Sequence, residues 1–255
     1  MASENSRFRS LPWVSDVQNQ TVTVIGAGGI GSWLTLFLSR IGVKDVYLFD
    51  ADIVDNTNYS GQLFTRDNLF IKKANAVRRT VGKFIMVNND DTTNVPSPYT
   101  CIVPVTNKFT GKETTDQTAI EQSDFIIAAV DNMETRSYIY HAFLEKAKED
   151  VDGNFDKVLI DGRLLAEQFS IYTITKRSQM ADYERTFFLD SEVPEESCTA
   201  KQTSHIAAMI GTYITQLVTN HLCNKANGFD MFDVPFSLEY FGPIIDLKKT
   251  NADNF

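Results

Sequence analysis

Short apolar runs alternate with amphipathic segments along the first part of the chain. Residues 21–25 (TVTVI) are typical of a buried strand, and the glycine-rich stretch after them leads into a helix with apolar residues at 33, 34, 37, 38 and 41. Residues 45–49 (DVYLF) predict the next strand. A strand, a helix and a strand in this order form a βαβ unit, so we expect parallel strands and a right-handed crossover.

The same alternation continues towards the end of the chain. The patterns predict further strands at residues 100–105, 124–130, 157–161, 169–174 and 236–241. They predict further helices at residues 72–84, 133–150 and 199–223. The longest irregular stretches are residues 88–98 and 176–196. We therefore expect a doubly wound, Rossmann-like α/β fold with a mostly parallel sheet, helices on both faces and any ligand outside the carboxyl ends of the strands.

The length of 255 residues fits one large α/β domain. We place that domain at residues 21–245, after an N-terminal segment at residues 1–20 and before a C-terminal tail at residues 246–255. The longest apolar runs are far too short to cross a bilayer, and the first residues, MASENSRFRS, lack the apolar centre of a secretory signal. We expect a protein that does not span a membrane.

The net charge and the cysteines narrow the cellular setting. A net charge of −9 disfavours nonspecific binding to nucleic acid, which depends on Lys and Arg side chains that neutralise phosphates. Cys101, Cys198 and Cys223 are an odd and widely spaced set, which is typical of a reducing compartment. We therefore expect a cytoplasmic protein that holds any phosphate group through a local site.

A glycine-rich loop follows the first predicted strand directly. GAGGIG places Gly26, Gly28 and Gly31 in a G-x-G-x-x-G pattern, with Gly29 doubling the central glycine. Such glycines let the backbone approach a phosphate, whose charge the helix N-terminus stabilises. Asp50 ends the second strand, where a carboxylate can accept hydrogen bonds from ribose hydroxyls. The pattern indicates a nucleotide site, and a nicotinamide cofactor and ATP both suit it.

Four motifs in order identify a family resemblance. GAGGIGS is followed by DADIVDNTNYSGQ from Asp50, by Lys73 and by DNMETR from Asp131. This order resembles the ThiF/MoeB family, whose adenylating fold is shared with ubiquitin-activating enzymes, and in particular its short single-domain members. The three cysteines form no C-x-x-C pair, so the zinc tetracysteine of many relatives is not expected. The resemblance implies binding of ATP and Mg²⁺, and conversion of a carboxylate to an acyl adenylate with release of pyrophosphate.

The resemblance also implies a role for each matched residue. Asp131 would hold Mg²⁺, Asp50 would hold the ribose with Asp52 as a second carboxylate beside it, and Asn58 and Lys73 would contact the phosphates. Hydride transfer has no need of Lys73 or Asp131, so these two residues favour ATP over a nicotinamide cofactor. The remaining nucleotide contacts implied by the resemblance are the loop glycines, Gln62 and Asn132.

Structural roles are open alternatives at several of these positions. A lysine near a helix start, such as Lys73, is commonly a solvated surface residue. Asp131 and Asn132 are typical caps of the helix that follows them. Arg136, one turn into that helix, can pair with Asp131 or with another acid. Arg163, in the DGR that ends a later strand, can contact a substrate or form a salt bridge within the fold.

One position departs from the family pattern. The family has an arginine immediately before Gln62, where it should contact the phosphates, but this chain has Gly61. A charge-assisted contact of this kind is worth about 1.5–3 kcal/mol. Three outcomes of its loss are therefore possible: another cation substitutes for the arginine, the protein catalyses a different reaction, or the protein is a catalytically weak partner subunit. The candidate substitutes are Arg66 and, because family dimers place an N-terminal arginine at the other subunit's ATP, Arg7 or Arg9. The alternative for Arg7 and Arg9 is that they belong to a disordered basic N-terminus with no role at the ATP site.

Cys198 is the candidate nucleophile for a second step, in which many relatives pass the acyl group to a thiol. It precedes the long predicted helix, where Thr199 and Gln202 form a T-x-x-Q capping box, so the helix N-terminus would stabilise a thiolate. Glu195 and Glu196 disfavour the thiolate, and an inert loop cysteine is the alternative. The other two cysteines are expected to be core residues.

Three functions are consistent with these patterns. The first is ATP-dependent adenylation, by a homodimer, of the C-terminal carboxylate of a ubiquitin-like small protein or a peptide. The second is a catalytically weak nucleotide-binding subunit that supports an active partner, which Gly61 suggests. The third is an NAD-dependent oxidoreductase, which the glycine loop alone would allow. Sulfur transfer, protein conjugation, peptide modification and tRNA modification all follow adenylation among relatives, and the sequence does not name the acceptor.

Overall fold

The computed structural model describes residues 10–85, 100–189 and 202–251. Within these ranges the chain forms eight strands: β1 Thr21–Ile25, β2 Asp45–Phe49, β3 Cys101–Val105, β4 Phe125–Ala128, β5 Asn154–Leu165, β6 Gln168–Lys176, β7 Ser237–Phe241 and β8 Asp246–Thr250. The same ranges contain seven α-helices: α1 Val14–Val17, α2 Gly29–Ile41, α3 Lys73–Val81, α4 Thr114–Gln122, α5 Met133–Lys146, α6 Met180–Glu184 and α7 Ser204–Asn227. Strands and α-helices alternate from α1 to β5.

All eight strands join one sheet in the order β3-β2-β1-β4-β5-β6-β7-β8. The first five strands in this order are parallel, and β6, β7 and β8 add in antiparallel fashion. The predicted Rossmann-like α/β fold is therefore confirmed. From β1 the chain proceeds to β2 and β3 on one side, and then to β4 and β5 on the other. The topological switch lies between β1 and β4, and ligands of such folds bind there, outside the carboxyl ends of the strands.

Helices cover both faces of the sheet. On one face, residues of α2, α7 and β1 form a fully buried core that includes Val24, Leu34, Leu38, Ile210 and Ile214. On the other face, the core is formed by residues of β4 and of α4 to α6, including Ile120, Ile126, Ile139, Phe143 and Tyr183. Parallel strands that are buried on both faces are apolar throughout, which is why TVTVI and DFIIAAV are recognisable as strands from the sequence.

The helix α7 packs along α2 on the first of these faces. It begins at Ser204, later than the sequence predicts, and Gln202 lies before the helix instead of in its first turn. The predicted T-x-x-Q capping box is therefore wrong. At Gly211 an added Cβ would lie 3.2 Å from the backbone nitrogen of Leu34, so the two helices approach closely. Among the residues described, neither α7 nor any other helix is long and apolar enough to cross a membrane.

Besides the short helix α1, three elements are not predicted by the sequence patterns. The helix α4 buries Asp116, Ala119 and Ile120 but is otherwise polar, so it has almost no apolar periodicity. The helix α6 forms within the stretch expected to be irregular after residue 176. The strand β8 lies in the segment expected to be a C-terminal tail, and most of its side chains are exposed. Each of these elements owes its formation to contacts with the rest of the fold more than to its own sequence pattern.

The two edges of the sheet are formed by β3 and β8. The strand β3 contains Pro104, whose backbone nitrogen has no hydrogen to donate. The strand β8 exposes Lys248 and Lys249. Lys248 pairs with Asp246 at 3.6 Å, and Lys249 pairs with Asp233. Both edges therefore carry residues that are common on edge strands.

We predict that Gly211→Val lowers the free energy of unfolding by about 1–3 kcal/mol, because the added atoms force α7 away from α2. This loss outweighs the few tenths of a kcal/mol gained by removing a helical glycine. Thr212→Val introduces the same residue at the next, exposed position of α7 and should change stability by less than about 0.5 kcal/mol. Urea denaturation followed by circular dichroism measures both. Equal stability of the two variants would contradict the close packing at Gly211.

Candidate nucleotide site

The glycine-rich stretch at residues 26–31 is the candidate phosphate loop, and it consists of the turn after β1 and the first residues of α2. Gly26 has a φ of 101°, and its N–H donates to the carbonyl oxygen of Phe49 at 2.8 Å. A Cβ added at Gly26 would lie 2.4 Å from the carbonyl oxygen of Ala129, and one added at Gly31 would lie 1.8 Å from the carbonyl oxygen of Gly26. Both glycines are required because main-chain segments touch at these points.

Gly28 differs from these two glycines because the protein itself does not require it for packing. Apart from Gly28 and its neighbours in the chain, no heavy atom of the described residues lies within 4 Å of the position that its Cβ would take. Gly28 is the N-cap of α2, and the first N–H groups of a helix have no partner within the helix. The positive end of the helix dipole lies at the same place. The open space over Gly28 therefore suits an anionic group such as a phosphate.

Asp50 follows β2 directly and lies beside the loop. Its Oδ2 accepts a hydrogen bond from the N–H of Ala27 at 2.7 Å, and its Oδ1 accepts one from the N–H of Asp52 at 2.8 Å. Burial raises the pKa of Asp50, and the two N–H donors and the charge of Lys73 oppose that rise. Each carboxylate oxygen has a second lone pair, so Asp50 can accept hydrogen bonds from ribose hydroxyls as well.

Lys73 is the first residue of α3, and its side chain is directed towards the acids that follow β2. Its Nζ forms an ion pair with Oδ2 of Asp52 at 3.0 Å, and its N–H donates to the carbonyl oxygen of Asp52 at 2.9 Å. The side chain of Lys73 is 12% exposed, so the alternative of a freely solvated surface lysine is wrong. Lys72 instead donates to the carbonyl oxygen of Ala51. The ammonium group of Lys73 is thus held beside the candidate ribose carboxylate.

The next part of the motif folds as a capped 3-10 helix, Asn56–Ser60. The carboxylate of Asp55 accepts from the N–H of Thr57 at 2.7 Å, and Oδ1 of Asn58 accepts from the N–H of Asp55 at 3.0 Å. Asn58 is buried and serves this cap, and its contact with a phosphate stays a prediction. Oε1 of Gln62 is buried without a hydrogen-bond partner among the described residues. It is a polar atom that a nucleotide or a water molecule could satisfy.

Gly61 is bonded to the first turns of α2. Nε1 of Trp33 donates to the carbonyl oxygen of Gly61 at 3.2 Å, and the N–H of Leu63 donates to Oγ of Ser32 at 3.0 Å. The missing side chain of Gly61 faces Gln202, which reaches this site from the segment before α7. The sequence suggests only a capping role for Gln202, because nothing in its spacing indicates a contact with the phosphate loop.

Asp131 and Asn132 lie beyond β4, on the other side of the phosphate loop from Asp50. Oδ1 of Asn132 accepts from the N–H of Thr135 at 2.8 Å and caps α5, so the capping alternative is confirmed for Asn132. Nδ2 of Asn132 donates to Oδ1 of Asp131 at 3.4 Å. Asp131 itself is exposed. Asp131 thus lies beyond the carboxyl end of β4, which is the end of the sheet where ligands of such folds bind.

Arg136 pairs with Asp161 and not with Asp131. Its guanidinium group donates to Oδ1 of Asp161, while Nε of Arg163 donates to Oδ2 of Asp161 at 2.8 Å. The hydroxyl of Tyr183 donates to the same Oδ2 at 3.1 Å. Asp161 is fully buried. Arg136 and Arg163 thus form salt bridges within the fold, which is one of the alternatives that the sequence leaves open.

The described residues offer Mg²⁺ no cage made of protein ligands alone. Within 10–85, 100–189 and 202–251, no three His, Cys, Asp or Glu side chains are grouped so that they could hold a metal ion. Mg²⁺ commonly binds to one or two carboxylates together with the phosphates of a substrate and water. The single exposed carboxylate of Asp131 fits that mode of binding.

The remaining predicted residues are Arg7, Arg9 and Cys198, and they lie outside the described residues. Arg66, a candidate substitute for the missing arginine, is exposed on the 3-10 turn Arg66–Asn68. Of the other two cysteines, Cys223 is buried in α7 and Cys101 is only partly buried in β3, so the expectation of a core residue is confirmed for Cys223 alone.

Comparison with known sequences identifies related proteins. The sequence model of the ThiF family matches residues 6–238. Ubiquitin-like modifier-activating enzyme 5 of Drosophila persimilis is 28% identical over 149 residues, which are 58% of this chain and 38% of that protein. The enzyme of the same name from Drosophila willistoni is 30% identical over 151 residues, which are 58% of this chain and 36% of that protein. The matches thus span less than two fifths of the length of these curated relatives.

Comparison with solved structures shows the same fold. The crystal structure of PaaA has a TM-score of 0.67 at 15% identity and covers 98% of this chain and 69% of its own. E. coli MccB with ATP has a TM-score of 0.64 at 13% identity, over 94% of this chain and 66% of its own. The microcin C7 biosynthetic enzyme MccB in complex with N-formylated MccA has a TM-score of 0.67 at 13% identity, over 94% and 67%.

We predict that Asp161→Asn lowers the free energy of unfolding by about 3–5 kcal/mol, because two largely buried guanidinium groups lose the carboxylate that they share. Asp131→Asn makes the same chemical change at an exposed position and should cost less than about 0.5 kcal/mol. Urea denaturation without nucleotide measures both values. If Asp131→Asn proved the more destabilising change, Arg136 would depend on Asp131 and the assignment above would be wrong.

Proposed function

This chain belongs to the ThiF family, and we propose that it uses ATP to adenylate a carboxylate at the C-terminus of a ubiquitin-like small protein or a peptide. The observation that carries this proposal is the position of Lys73, held by Asp52 next to Asp50. A fixed cation at a nucleotide loop can neutralise phosphate charge, which hydride transfer does not need. The names of the relatives, with a ubiquitin-like modifier or the peptide MccA as their partner, support this class of acceptor.

In this proposal, different residues around the phosphate loop would bind different parts of ATP. The phosphates would lie at the N-terminus of α2, where Gly28 leaves space. Asp50 would accept hydrogen bonds from the ribose. Mg²⁺, held by Asp131 and by the phosphates, would supply a Lewis acid that offsets their charge. The further contacts in this proposal are Gly29, Gly31, Asn58, Gln62 and Asn132.

The reaction joins two anions, so it depends on local positive charge. An oxygen of the acceptor carboxylate would attack the α-phosphorus, and the bond from this phosphorus to the bridging oxygen would break as pyrophosphate leaves. Lys73 would stabilise the charge that develops on the leaving pyrophosphate. Its ion pair with Asp52 fixes the ammonium group before the substrate binds, so little reorganisation is needed during the reaction.

The proposal extends to three residues outside the described ranges. Arg7 or Arg9, on the segment at residues 1–20, would reach the ATP of the second subunit in a homodimer. Cys198 would accept the acyl group from the adenylate as a thioester, with AMP as the leaving group. Both roles rest on the family resemblance. The transfer to Cys198 follows adenylation and can fail without affecting it, whereas the arginine would act in the adenylation step itself.

A second candidate is a nucleotide-binding subunit with weak catalysis of its own, and Gly61 is the observation that favours it. Titration calorimetry with Mg²⁺ and ATP, and with NADH, separates these possibilities from an oxidoreductase. ATP binding together with acceptor-stimulated exchange of radiolabelled pyrophosphate into ATP supports adenylation. ATP binding without exchange across a panel of peptides ending in Gly-Gly supports the partner subunit. Binding of NADH without ATP would overturn both.

We predict that Lys73→Ala lowers the rate of ATP–pyrophosphate exchange by about 10-fold to 100-fold, because a charge-assisted contact worth about 1.5–3 kcal/mol is lost in the transition state. Lys83→Ala is the matched control. Lys83 pairs with Asp67, both side chains are more than half exposed, and the change should leave exchange as it is. Exchange by Lys73→Ala at the rate of the unmodified protein would remove Lys73 from the proposed mechanism.

A further inference from the structure

We propose that Gln202 fills the place of the arginine that the family pattern has at position 61, and that its carboxamide completes the phosphate-binding site. This inference rests on the ATP binding proposed above and adds a residue that no motif assigns to it. It also gives a physical reason for the glycine at position 61.

The side chain of Gln202 lies against two glycines from separate parts of the chain. A Cβ added to Gly29, in the phosphate loop, would lie 1.8 Å from Oε1 of Gln202. A Cβ added to Gly61 would lie 2.7 Å from Cγ and 3.1 Å from Nε2 of Gln202. Gly61 has a φ of −127°, which any residue can adopt, so backbone conformation does not require glycine there. The space of a side chain at position 61 is instead taken by Gln202.

Main-chain contacts hold both sides of this arrangement. Gln202 forms a parallel bridge with Ala166, in the turn between β5 and β6. Gly61 is held by the indole of Trp33, as described above. Because both main-chain segments are fixed, the side chain of Gln202 is directed across the start of α2. The side chain of Gln202, which lies just before α7, thus reaches the candidate phosphate loop.

The chemistry of a carboxamide suits this position. Oε1 lies nearer than Nε2 to the phosphate loop at Gly29, and a flip of the carboxamide exchanges the two atoms. In the flipped orientation the uncharged NH₂ group, which supplies two donors, can bond to a phosphate oxygen without the full attraction of a guanidinium group. Gln202 is partly exposed, which leaves part of the group open to a ligand. A neutral contact of this kind is weaker than a charged one, although it still contributes to binding. The chain thus retains a donor beside the loop without the family arginine.

Titration calorimetry with Mg²⁺ and ATP tests the contact through a double-mutant cycle. Gln202→Ala removes the carboxamide, and Gly61→Ala pushes it away from the loop. We expect each change to weaken affinity by about threefold to tenfold and the double variant to be no weaker than either single variant, because both remove the same contact. Gln216→Ala, at an exposed position on α7, is the control and should bind as the unmodified protein does.

Gln202→Glu separates a hydrogen-bonding role from simple packing. Its shape is nearly unchanged, but a carboxylate replaces the N–H donors and repels phosphate. We expect it to bind Mg²⁺ and ATP more weakly than Gln202→Ala does, whereas a packing residue would tolerate the change. We expect the double variant G61R/Q202A, which restores the family arginine in freed space, to bind at least as tightly as the unmodified protein.

Thermal unfolding without nucleotide keeps this test separate from the proposed function. Gly61→Ala should lower the melting temperature in the native background and by less in the Gln202→Ala background. Additive losses of affinity, unimpaired binding by Gln202→Glu, or equal thermal effects of Gly61→Ala in both backgrounds would each overturn the inference. If the unmodified protein binds no ATP while the thermal coupling is present, the proposed function fails and the contact between Gly61 and Gln202 stands.

Discussion

Contact of main chain with main chain around Gly26 sets the geometry of the candidate site. A side chain at Gly26 would overlap the carbonyl oxygen of Ala129, and one at Gly31 would overlap the carbonyl oxygen of Gly26. Because these segments touch, α2 starts directly at the end of β1. Asp50 follows β2 and Asp131 lies beyond β4, so the two lie to either side of that start, after strands that both pair with β1. The two carboxylates are therefore positioned beside the start of α2 by steric closeness at two glycines, whereas Lys73 is held by its ion pair with Asp52.

Several motif residues form their hydrogen bonds and salt bridges with other residues of the protein. Asn58 caps a 3-10 helix, Asn132 caps α5, and Arg136 joins Arg163 on the buried carboxylate of Asp161. Some motif residues are thus needed for the structure of the loops around the site. Lys73 and Asp131 contrast with these residues, since the first is held at the ligand side and the second is exposed there. These two residues are the better candidates for direct contact with a substrate.

Much of this architecture is predictable from the sequence, and the limits have physical causes. The strands β1 and β2 match their predicted residues because strands in the middle of a parallel sheet are largely buried, so their sequences are mostly apolar. The helix α4 and the strand β8 escape prediction because their stability comes from tertiary contacts, and few of their side chains are apolar and buried. The glycines and Asp50 follow from spacing along the chain. The contact between Gln202 and Gly61 is not predictable in this way, because the two residues are far apart in the sequence and come together only in the folded protein.

The borders of the sheet also affect how this protein can associate. An unpaired strand offers a row of N–H and C=O groups to any other extended chain. On β3, Pro104 interrupts that row because its nitrogen carries no hydrogen. On β8, the row is flanked by the exposed ion pairs of Lys248 with Asp246 and of Lys249 with Asp233. Lengthening the sheet by a strand from another molecule is disfavoured at both borders. Association of two copies is therefore steered towards side-chain surfaces of helices and loops, and away from the open-ended stacking that leads to aggregates.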